Sequence, residues 1–273
     1  MTDCTTNCTT CAKDCDRRIE KWPCNPGSSI RHVVGVSSGK GGVGKSTIAA
    51  LLASAWAKQG RRVGLMDADL TGPCASHLFG VQQTIVGDEH GMAPARTALG
   101  VALMSINLLL DDPTAPVVWR GPVLSGVLRQ LWSETHWGEL DMLVVDLPPG
   151  TGDMPLSVFQ SMPLSGVVVV TTPQSMVQAV VGKAFRMAQM LNVPVLGLLE
   201  NLSGFVCPGC KELCYPMGDS RLDVQCAAWD VPALGRLPQD PQMAAVADAG
   251  LVETIEAAAI TAAAGHLWKG LQP

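Results

Sequence analysis

The sequence carries little charge and contains no long apolar run. Only 16% of its 273 residues are charged, and the formal net charge is −5. The 19 lysines and arginines are scattered along the chain, whereas nucleic-acid binding needs a clustered basic surface. No stretch approaches the ~18 uninterrupted apolar residues of a membrane span. These absences argue against a nucleic-acid partner and against a membrane partner.

The beginning of the chain also lacks the apolar core of a secretory signal. It is polar and rich in cysteine instead. We therefore expect a cytoplasmic protein. In that reducing compartment the 10 cysteines are expected to be thiols or metal ligands rather than disulfides.

Composition divides the chain into two parts. Residues 1–29 hold five cysteines, show no apolar periodicity and end in Pro-Gly-Ser-Ser, so we predict a cysteine-rich N-terminal extension. Residues 30–273 are predicted to form one α/β domain, because short apolar runs alternate with helix-like stretches. Most runs are continuous, as in strands covered on both faces, which predicts a doubly wound, mostly parallel sheet. The predicted strands are 32–37, 62–66, 100–106, 140–146, 166–171, 193–199 and 233–237.

Two helices can be predicted from residue spacing and composition. Between the first two strands, Ile48, Leu51, Leu52 and Ala55 recur at i, i+3, i+4 and i+7. Gly60 stands where the C-terminal cap of that helix belongs. Residues 243–267 are rich in alanine and are predicted to be helical.

Residues 39–46 form the most specific motif in the chain. They fit G-x-x-x-x-G-K-[ST], after a predicted buried strand and before a predicted helix. Glycines let backbone N–H groups converge on phosphate oxygens, and the helix N-terminus adds a favourable dipole. Lys45 is expected to reach the β- and γ-phosphates and Ser46 to ligate Mg²⁺. The sequence thus predicts ATP binding, with hydrolysis, at Gly39, Lys40, Gly41, Gly42, Val43, Gly44, Lys45, Ser46 and Thr47.

Carboxylates stand at the ends of two further predicted strands. Asp146 ends an apolar run and precedes Leu-Pro-Pro-Gly-Thr-Gly-Asp; it is predicted to hold Mg²⁺, directly or through water. Asp67 and Asp69 end another run. Asp69 is the candidate for orienting the attacking water and Asp67 for supporting the site. The alternative for either residue is a helix N-cap.

With these motifs, and with Lys40 inside the loop, the chain resembles the MinD-like (SIMIBI) ATPases, which have a deviant P-loop. More narrowly, it resembles the Mrp/ApbC iron–sulfur carrier ATPases. That resemblance covers residues 30 to about 265 and rests on segments 67–73, 119–122, 146–153 and 201–210, in the family's order. Cys74 departs from the family pattern, which has serine there, and we expect it to be a small buried thiol.

The resemblance implies a homodimer that sandwiches two ATP molecules. Lys40 would reach across to the partner's phosphates and stabilise transition-state charge. Together with Lys45 and Asp69, it is a candidate catalytic residue. The resemblance also implies that Asn201 and the backbone around Pro238 contact the adenine. The alternative for Asn201 is a residue that caps its own loop.

The pair Cys207 and Cys210 leaves three chemistries open from its spacing. The first is a [4Fe–4S] cluster shared between subunits, each giving two cysteines. The second is a structural zinc closed within one chain by Cys214 and Cys226. The third is a redox dithiol, which the absence of a predicted helix after Cys210 disfavours. The family resemblance decides for the bridging cluster.

A second cluster site is predicted in the N-terminal extension. Its cysteines are Cys4, Cys8, Cys11, Cys15 and Cys24, a spacing that suits a four-thiolate iron–sulfur cluster or zinc. Five cysteines compete for four places, and we favour Cys8, Cys11 and Cys15 with either Cys4 or Cys24. Relatives with such an extension carry a [4Fe–4S] cluster there, so the resemblance favours the cluster.

Together these observations predict an ATP-dependent iron–sulfur cluster carrier or scaffold. It would take clusters from upstream scaffolds and deliver them to client apoproteins, with residues 69–73 and 147–153 as switch segments. One rival is a MinD- or ParA-type positioning ATPase; however, the tail after Met243 has Lys269 as its only basic residue and suits anionic lipid poorly. The other rival is an electron donor related to nitrogenase iron protein.

Overall fold

The computed structural model describes residues 21–89, 91–110, 112 and 121–272. Strands and helices alternate through this part of the chain. The strands are β1 (Ser29–Ser38), β2 (Val63–Asp67), β3 (Gly87–Asp88), β4 (Gly91–Met92), β5 (Ala95–Arg96), β6 (Ala102–Met104), β7 (Glu139–Asp146), β8 (Gly166–Thr171), β9 (Val195–Glu200), β10 (Phe205–Val206), β11 (Leu213–Cys214) and β12 (Ala233–Arg236). The helices are α1 (Lys45–Lys58), α2 (Ala75–Leu78), α3 (Gly121–Ser133), α4 (Asp153–Ser161), α5 (Ser175–Met190), α6 (Leu222–Trp229), α7 (Pro241–Asp248) and α8 (Ala258–Leu271).

One eight-stranded sheet organises the domain. Its strand order is β12-β9-β8-β1-β7-β2-β6-β5, and every neighbouring pair is parallel except β5 with β6. β1 lies between β7 and β8, so β7 separates β1 from β2. Two small antiparallel pairs, β3 with β4 and β10 with β11, lie outside this sheet. The prediction of a doubly wound, mostly parallel sheet is confirmed.

The middle strands are mostly apolar because both faces of the sheet are covered. Every residue of β2 and of β8 is buried. The helix predicted after β1 is α1, which ends at Lys58, and Gly60 follows in the left-handed conformation at φ 78°. That conformation favours glycine because it lacks a Cβ. Gly60 therefore has the cap position that the sequence predicts.

Residues 243–267 do not form one helix, as their alanine content suggests, but parts of two. The carboxylate of Asp240 accepts the amides of Gln242 and Met243 and so begins α7 earlier than predicted. A turn then follows at Gly250, with φ 76°, where a Cβ would lie 2.7 Å from the Cα of Gly80. This close backbone crossing, rather than local helix propensity, ends α7 and separates it from α8.

The last part of the predicted N-terminal extension packs against the domain. The amide of Trp22 donates to the carbonyl of Ser161 at 2.8 Å, and the indole N–H of Trp132 donates to the carbonyl of Trp22 at 3.1 Å. Cys24 is half-buried against the core, and burial raises the pKa of its thiol. Cys4, Cys8, Cys11 and Cys15 lie outside the described residues. Among the described helices, none is both long and apolar enough to cross a membrane.

Candidate functional site

The predicted phosphate loop lies at the carboxyl ends of three adjacent strands. It connects β1 to α1, and the parallel register places Val36 beside Asp146 and Asp67 beside Asp146. Strands that run in parallel end at the same edge of a sheet, and ligands bind there in α/β proteins. The sheet therefore brings the loop and the predicted carboxylates together.

Lys45 is the centre of this arrangement. Its ammonium lies 2.6 Å from Oδ1 of Asp146, 3.8 Å from Oδ2 of Asp69 and 3.3 Å from the hydroxyl of Ser46. Lys45 is only 6% exposed and Asp146 only 1%. The pair is therefore buried, and the lysine charge is neutralised by carboxylates of its own chain.

Asp146 has unused capacity to accept a hydrogen bond or to ligate a cation. Its Oδ2 is buried and has no hydrogen-bond partner among the described residues. Burial raises the pKa of Asp146, although the adjacent ammonium of Lys45 opposes that shift. Mg²⁺ is commonly held by one or two carboxylates together with substrate phosphates. The free oxygen of Asp146 and the nearby Ser46 hydroxyl fit such an ion.

Asp67 is fully buried behind the loop and is held by three donors. Its carboxylate accepts the amide of Ala75 at 3.0 Å, the hydroxyl of Ser105 at 3.2 Å and the amide of Asp69 at 3.2 Å. Burial and the nearby Asp146 charge raise the pKa of Asp67 to about 7. Because Ala75 is the first residue of α2, Asp67 has the contact of a helix cap as well as a position beside Asp146.

The glycines leave the backbone of the loop open to a ligand. Gly42 and Gly44 are in the left-handed conformation, with φ 79° and 81°. A Cβ on Gly41 or Gly42 would meet nothing within 4 Å, so the space beside these residues is empty. This space belongs to a cavity of about 520 Å³, whose lining includes Lys40, Lys45, Ser46, Asp69, Cys74 and Pro149. A polyphosphate fits this cradle.

A second cavity adjoins the first, and both residues that were expected to contact adenine line it. It measures about 590 Å³ and is lined by Gly44, Thr47, Asn201 and Pro238, among others. The side-chain amide of Asn201 donates to the carbonyl of Val43 at 2.9 Å. Asn201 thus bonds to the phosphate loop rather than to its own loop. Cavities of this size hold small-molecule ligands in many proteins.

Cys74 is exposed, so the prediction of a buried thiol is wrong. Its thiol lies 3.1 Å from the carbonyl of Gly72 and lines the phosphate cavity. The reason is positional, because Cys74 precedes the four-residue helix α2 at the rim of the site. The cysteine that replaces the family's serine therefore lies beside the predicted phosphate ligand.

Lys40, the other lysine of the loop, makes a contact with Gln174 that the sequence did not predict. It is exposed, and its ammonium donates to Oε1 of Gln174 at 3.2 Å. The side-chain N–H of Gln174 in turn lies 3.1 Å from the sulfur of Met217. Gln174 follows β8, which ends at the same edge of the sheet as β1. A polar residue just after a parallel strand was the available signal.

The predicted cluster ligands lie on an exposed turn between β10 and β11. Hydrogen bonding from the backbone amides of Cys210 and Gly209, and from the Cys210 thiol, lowers the pKa of the Cys207 thiol. The amide of Cys207 donates to the carbonyl of Glu212 at 2.9 Å and closes the turn. Both cysteines are thus held at one turn, half-buried at position 207 and exposed at position 210.

The zinc alternative is not supported by the arrangement of the cysteines. Cys214 is exposed on β11, whereas Cys226 is buried in α6. Within the described ranges, no three His, Cys, Asp or Glu side chains are grouped so that they could hold a metal ion. The described residues therefore do not form a four-thiolate site from Cys207, Cys210, Cys214 and Cys226.

Known proteins resemble this chain over most of its length. The family described as NUBPL iron-transfer P-loop NTPase, of the ParA group, matches residues 29–269. An iron-sulfur cluster carrier protein from Methanocaldococcus jannaschii is 43% identical over 226 residues, which are 82% of this chain and 78% of that protein. A carrier protein from Aquifex aeolicus is 42% identical over 222 residues, 81% of this chain but only 61% of the relative.

Solved structures agree with these sequence matches. A nucleotide-binding protein from Archaeoglobus fulgidus in complex with ADP is 40% identical, with a TM-score of 0.74 over 84% of this chain and 90% of that one. The cell-division ATPase MinD from Pyrococcus furiosus is 20% identical, with a TM-score of 0.62 over 88% of this chain and 99% of that one, and shares the fold. The phosphate loop, the carboxylates around it and these matches together lead to one conclusion: the chain belongs to the P-loop NTPase family of the iron–sulfur cluster carrier proteins.

Proposed function

We propose that this chain carries a [4Fe–4S] cluster on Cys207 and Cys210 and delivers it to client apoproteins under the control of ATP binding and hydrolysis. The observation that carries this proposal is the exposed turn that presents both thiols together. A [4Fe–4S] cluster takes four thiolates. One chain supplies two of them at this turn, so a homodimer would supply all four, and a cargo held by two thiolates per subunit can be handed on.

The residues around Lys45 support ATP as the nucleotide. Ser46 and the free oxygen of Asp146 would hold Mg²⁺, which supplies positive charge at the β- and γ-phosphates. Lys45 would exchange its contact with Asp146 for phosphate oxygens. Asp69 would orient the attacking water, and Asp67 would support the site from behind. Lys40 would stabilise transition-state charge at the nucleotide of the other subunit.

The coupling of hydrolysis to cluster transfer would run through two segments that touch the site. In residues 69–73, Asp69 lies beside Lys45. In residues 147–153, the amide of Gly150 donates to the carbonyl of Ser38, the last residue of β1, at 2.9 Å. Hydrolysis would remove contacts to the γ-phosphate, and segments held by such contacts change conformation when they are lost.

A second, N-terminal cluster is proposed on four of Cys4, Cys8, Cys11, Cys15 and Cys24. The half-buried position of Cys24 against the core favours Cys4 as the fourth ligand beside Cys8, Cys11 and Cys15. Upstream scaffolds as the cluster source, a cytoplasmic location and the lack of nucleic-acid and membrane partners stay predictions.

No described feature favours the positioning-ATPase rival. The residues of α8 that a membrane contact would use, Ile260, Ala263, Ala264 and Leu267, are buried in the domain. The electron-donor rival differs from the carrier in its cargo, because its cluster would cycle between redox states and stay bound. Repeated reduction and oxidation without transfer to an apoprotein would favour that rival.

The proposal is tested by anaerobic reconstitution followed by analysis of iron, sulfide and zinc. Wild type is compared with Cys207→Ala/Cys210→Ala and with Cys8→Ala/Cys11→Ala. We expect Cys207→Ala/Cys210→Ala to lose one cluster per dimer, because that cluster is shared, and Cys8→Ala/Cys11→Ala to lose two clusters per dimer, one from each subunit, in separate visible absorbance changes. The matched control is Cys214→Ala/Cys226→Ala, which should keep both clusters. Stoichiometric zinc without iron or sulfide would refute the carrier.

The coupling to ATP needs a separate measurement. Transfer from the reconstituted protein to an apo form of a [4Fe–4S] enzyme is followed with and without ATP. We expect ATP to change the transfer rate of wild type, and Lys45→Ala to abolish both hydrolysis and that change. A transfer rate that is the same for wild type and Lys45→Ala would contradict the coupling and leave cluster binding intact.

A further inference from the structure

The side chain of Gln174 bridges the phosphate loop and the cysteine-bearing segment. Its Oε1 accepts from Lys40 at 3.2 Å, and its Nε2 lies 3.1 Å from the sulfur of Met217. A glutamine side chain has one acceptor end and one donor end, so it can serve both neighbours at once. Met217 lies three residues after Cys214, in the segment that we call the cysteine segment, residues 205–220.

The position of Gln174 relative to the loop is fixed by packing. Gln174 directly precedes α5, and α5 lies against Gly39 so closely that a Cβ there would be 2.6 Å from the amide nitrogen of Val181. β8, which leads to Gln174, pairs with β1, which leads to the loop. The Lys40–Gln174 contact therefore joins two rigidly related parts of one domain.

The two contacts of Gln174 differ in strength. A hydrogen bond from a charged ammonium is stronger than one between neutral groups. A thioether sulfur is only a weak acceptor. The Lys40 contact therefore sets the orientation of the amide, and the Met217 contact exists because the amide is held with Nε2 toward the sulfur.

A second tether of the cysteine segment does not involve the loop. Nε of Arg236 donates to the hydroxyl of Ser220 at 2.8 Å, and the same guanidinium pairs with Asp223 at 2.6 Å. Arg236 lies on β12, at the edge of the main sheet. This contact involves neither Lys40 nor Gln174, so it offers a control for the first.

We infer that Gln174 is a positioning residue that transmits the position of Lys40 to the cysteine segment. With Lys40 on Gln174, the amide holds Met217 and restrains the turn that carries Cys207 and Cys210. When Lys40 turns to a phosphate group, the amide loses its orienting donor, releases Met217, and leaves the segment tethered through Ser220. The thiols then gain freedom to bind or release a cluster. This role rests on the proposed function, because it regulates that same cysteine site.

The test is a double-mutant cycle in cluster-free, nucleotide-free protein. The measured quantity is the rate at which Cys207 and Cys210 react with N-ethylmaleimide, read by mass spectrometry of their peptide. Lys40→Ala, Gln174→Leu and Met217→Leu should each raise that rate by the same factor of about two to three, the effect of a hydrogen bond at the weak end of the usual range, because each change releases the same weak contact to the Met217 sulfur. Any two of these changes together should raise it no further, because they break the same path.

Two controls separate this path from a general loosening. Gln189→Leu makes the same change at an exposed position far along α5 and should leave the rate unchanged. Ser220→Ala removes the other tether, and its effect should multiply with that of Gln174→Leu. Met217→Leu keeps the side-chain volume, so it still decides the matter if Gln174→Leu does not fold.

The outcomes are distinct from those of the proposed function. Unchanged rates in Gln174→Leu and Met217→Leu, or effects of Lys40→Ala and Gln174→Leu that multiply, would overturn the inference while cluster binding and ATP-dependent transfer stood. Loss of cluster binding in wild type would overturn the proposed function, whereas the labelling cycle needs no cluster and would still report the path.

Discussion

Replacing three glycines of the phosphate loop one at a time separates backbone strain from side-chain overlap. Gly41 is not in the left-handed region, and a Cβ there meets nothing within 4 Å. Gly42 has φ 79° and equally open space. Gly44 has φ 81°, and a Cβ on it would overlap the side-chain nitrogen of Asn201. Alanine at Gly41 therefore meets neither constraint. At Gly42 it meets the backbone strain alone, and at Gly44 it meets both the strain and the overlap with Asn201.

The expected differences follow from these constraints. Each alanine makes the unfolded chain less flexible by a similar amount, about 0.4–1 kcal/mol, so this effect cancels between variants. The left-handed conformation costs a non-glycine residue about 1–2 kcal/mol, so Gly42→Ala should be less stable than Gly41→Ala by that amount. Gly44→Ala should lose about 0.5–1.5 kcal/mol more, because Asn201 must give up its hydrogen bond to Val43.

The measurement is urea unfolding of the nucleotide-free protein, followed by tryptophan fluorescence. The order Gly41→Ala, Gly42→Ala, Gly44→Ala from most to least stable is expected. In an Asn201→Ala background the Gly44→Ala change should cost no more than Gly42→Ala, because the overlap is gone. Equal stability of Gly41→Ala and Gly42→Ala would show that the loop does not hold the left-handed conformation described above and would refute the reasoning.

Three further outcomes are expected. The pKa of Asp67 is about 7 in the folded protein and 3.8 ordinarily, so between these pH values the folded protein keeps a proton that the unfolded chain releases. The free energy of unfolding of nucleotide-free protein, measured in urea, should therefore fall as the pH rises from about 4 to 7, and Asp67→Asn should make it depend less on pH. Lys45→Ala should destabilise the nucleotide-free protein by about 3–5 kcal/mol at pH 8, since it leaves the Asp146 carboxylate buried without its cation. The loss should become smaller as the pH falls, because burial raises the pKa of Asp146 and a protonated carboxyl needs no cation; a loss that does not change with pH would contradict this. Cys74 should react with N-ethylmaleimide at pH 8.5, and ATP should protect it because its thiol lines the phosphate cavity; mass spectrometry that finds no protection would count against ATP in that cavity.

The sheet and the phosphate loop could be predicted because their signals are local. Continuous apolar runs mark strands that are buried on both faces, and the loop motif keeps its spacing whatever surrounds it. The order of the strands has no such signal. β7 lies between β1 and β2 because of pairing across about a hundred residues, as the Lys45–Asp146 contact over 101 positions illustrates. Single-residue patterns do not contain that information.

The features that the sequence analysis missed depend on contacts between distant segments. Cys74 is a small apolar thiol by type, and only its place before α2 makes it exposed. The alanine-rich tail is interrupted at Gly250 because another backbone, at Gly80, crosses it. In the sequence Gln174 is an ordinary polar residue after a strand. Only the fold brings it into contact with both Lys40 and Met217.

The strand order has a consequence for synthesis of the protein on the ribosome. A nascent chain that stops before residue 139 contains the whole phosphate loop, but the strand that joins β1 to β2 is missing. The facing edges of β1 and β2 then present unpaired backbone groups, which favour association with other chains. Such a chain also lacks Asp146, Asn201 and Pro238. ATP should therefore be captured only after most of the domain has emerged, so that nucleotide binding marks chains that have completed the sheet.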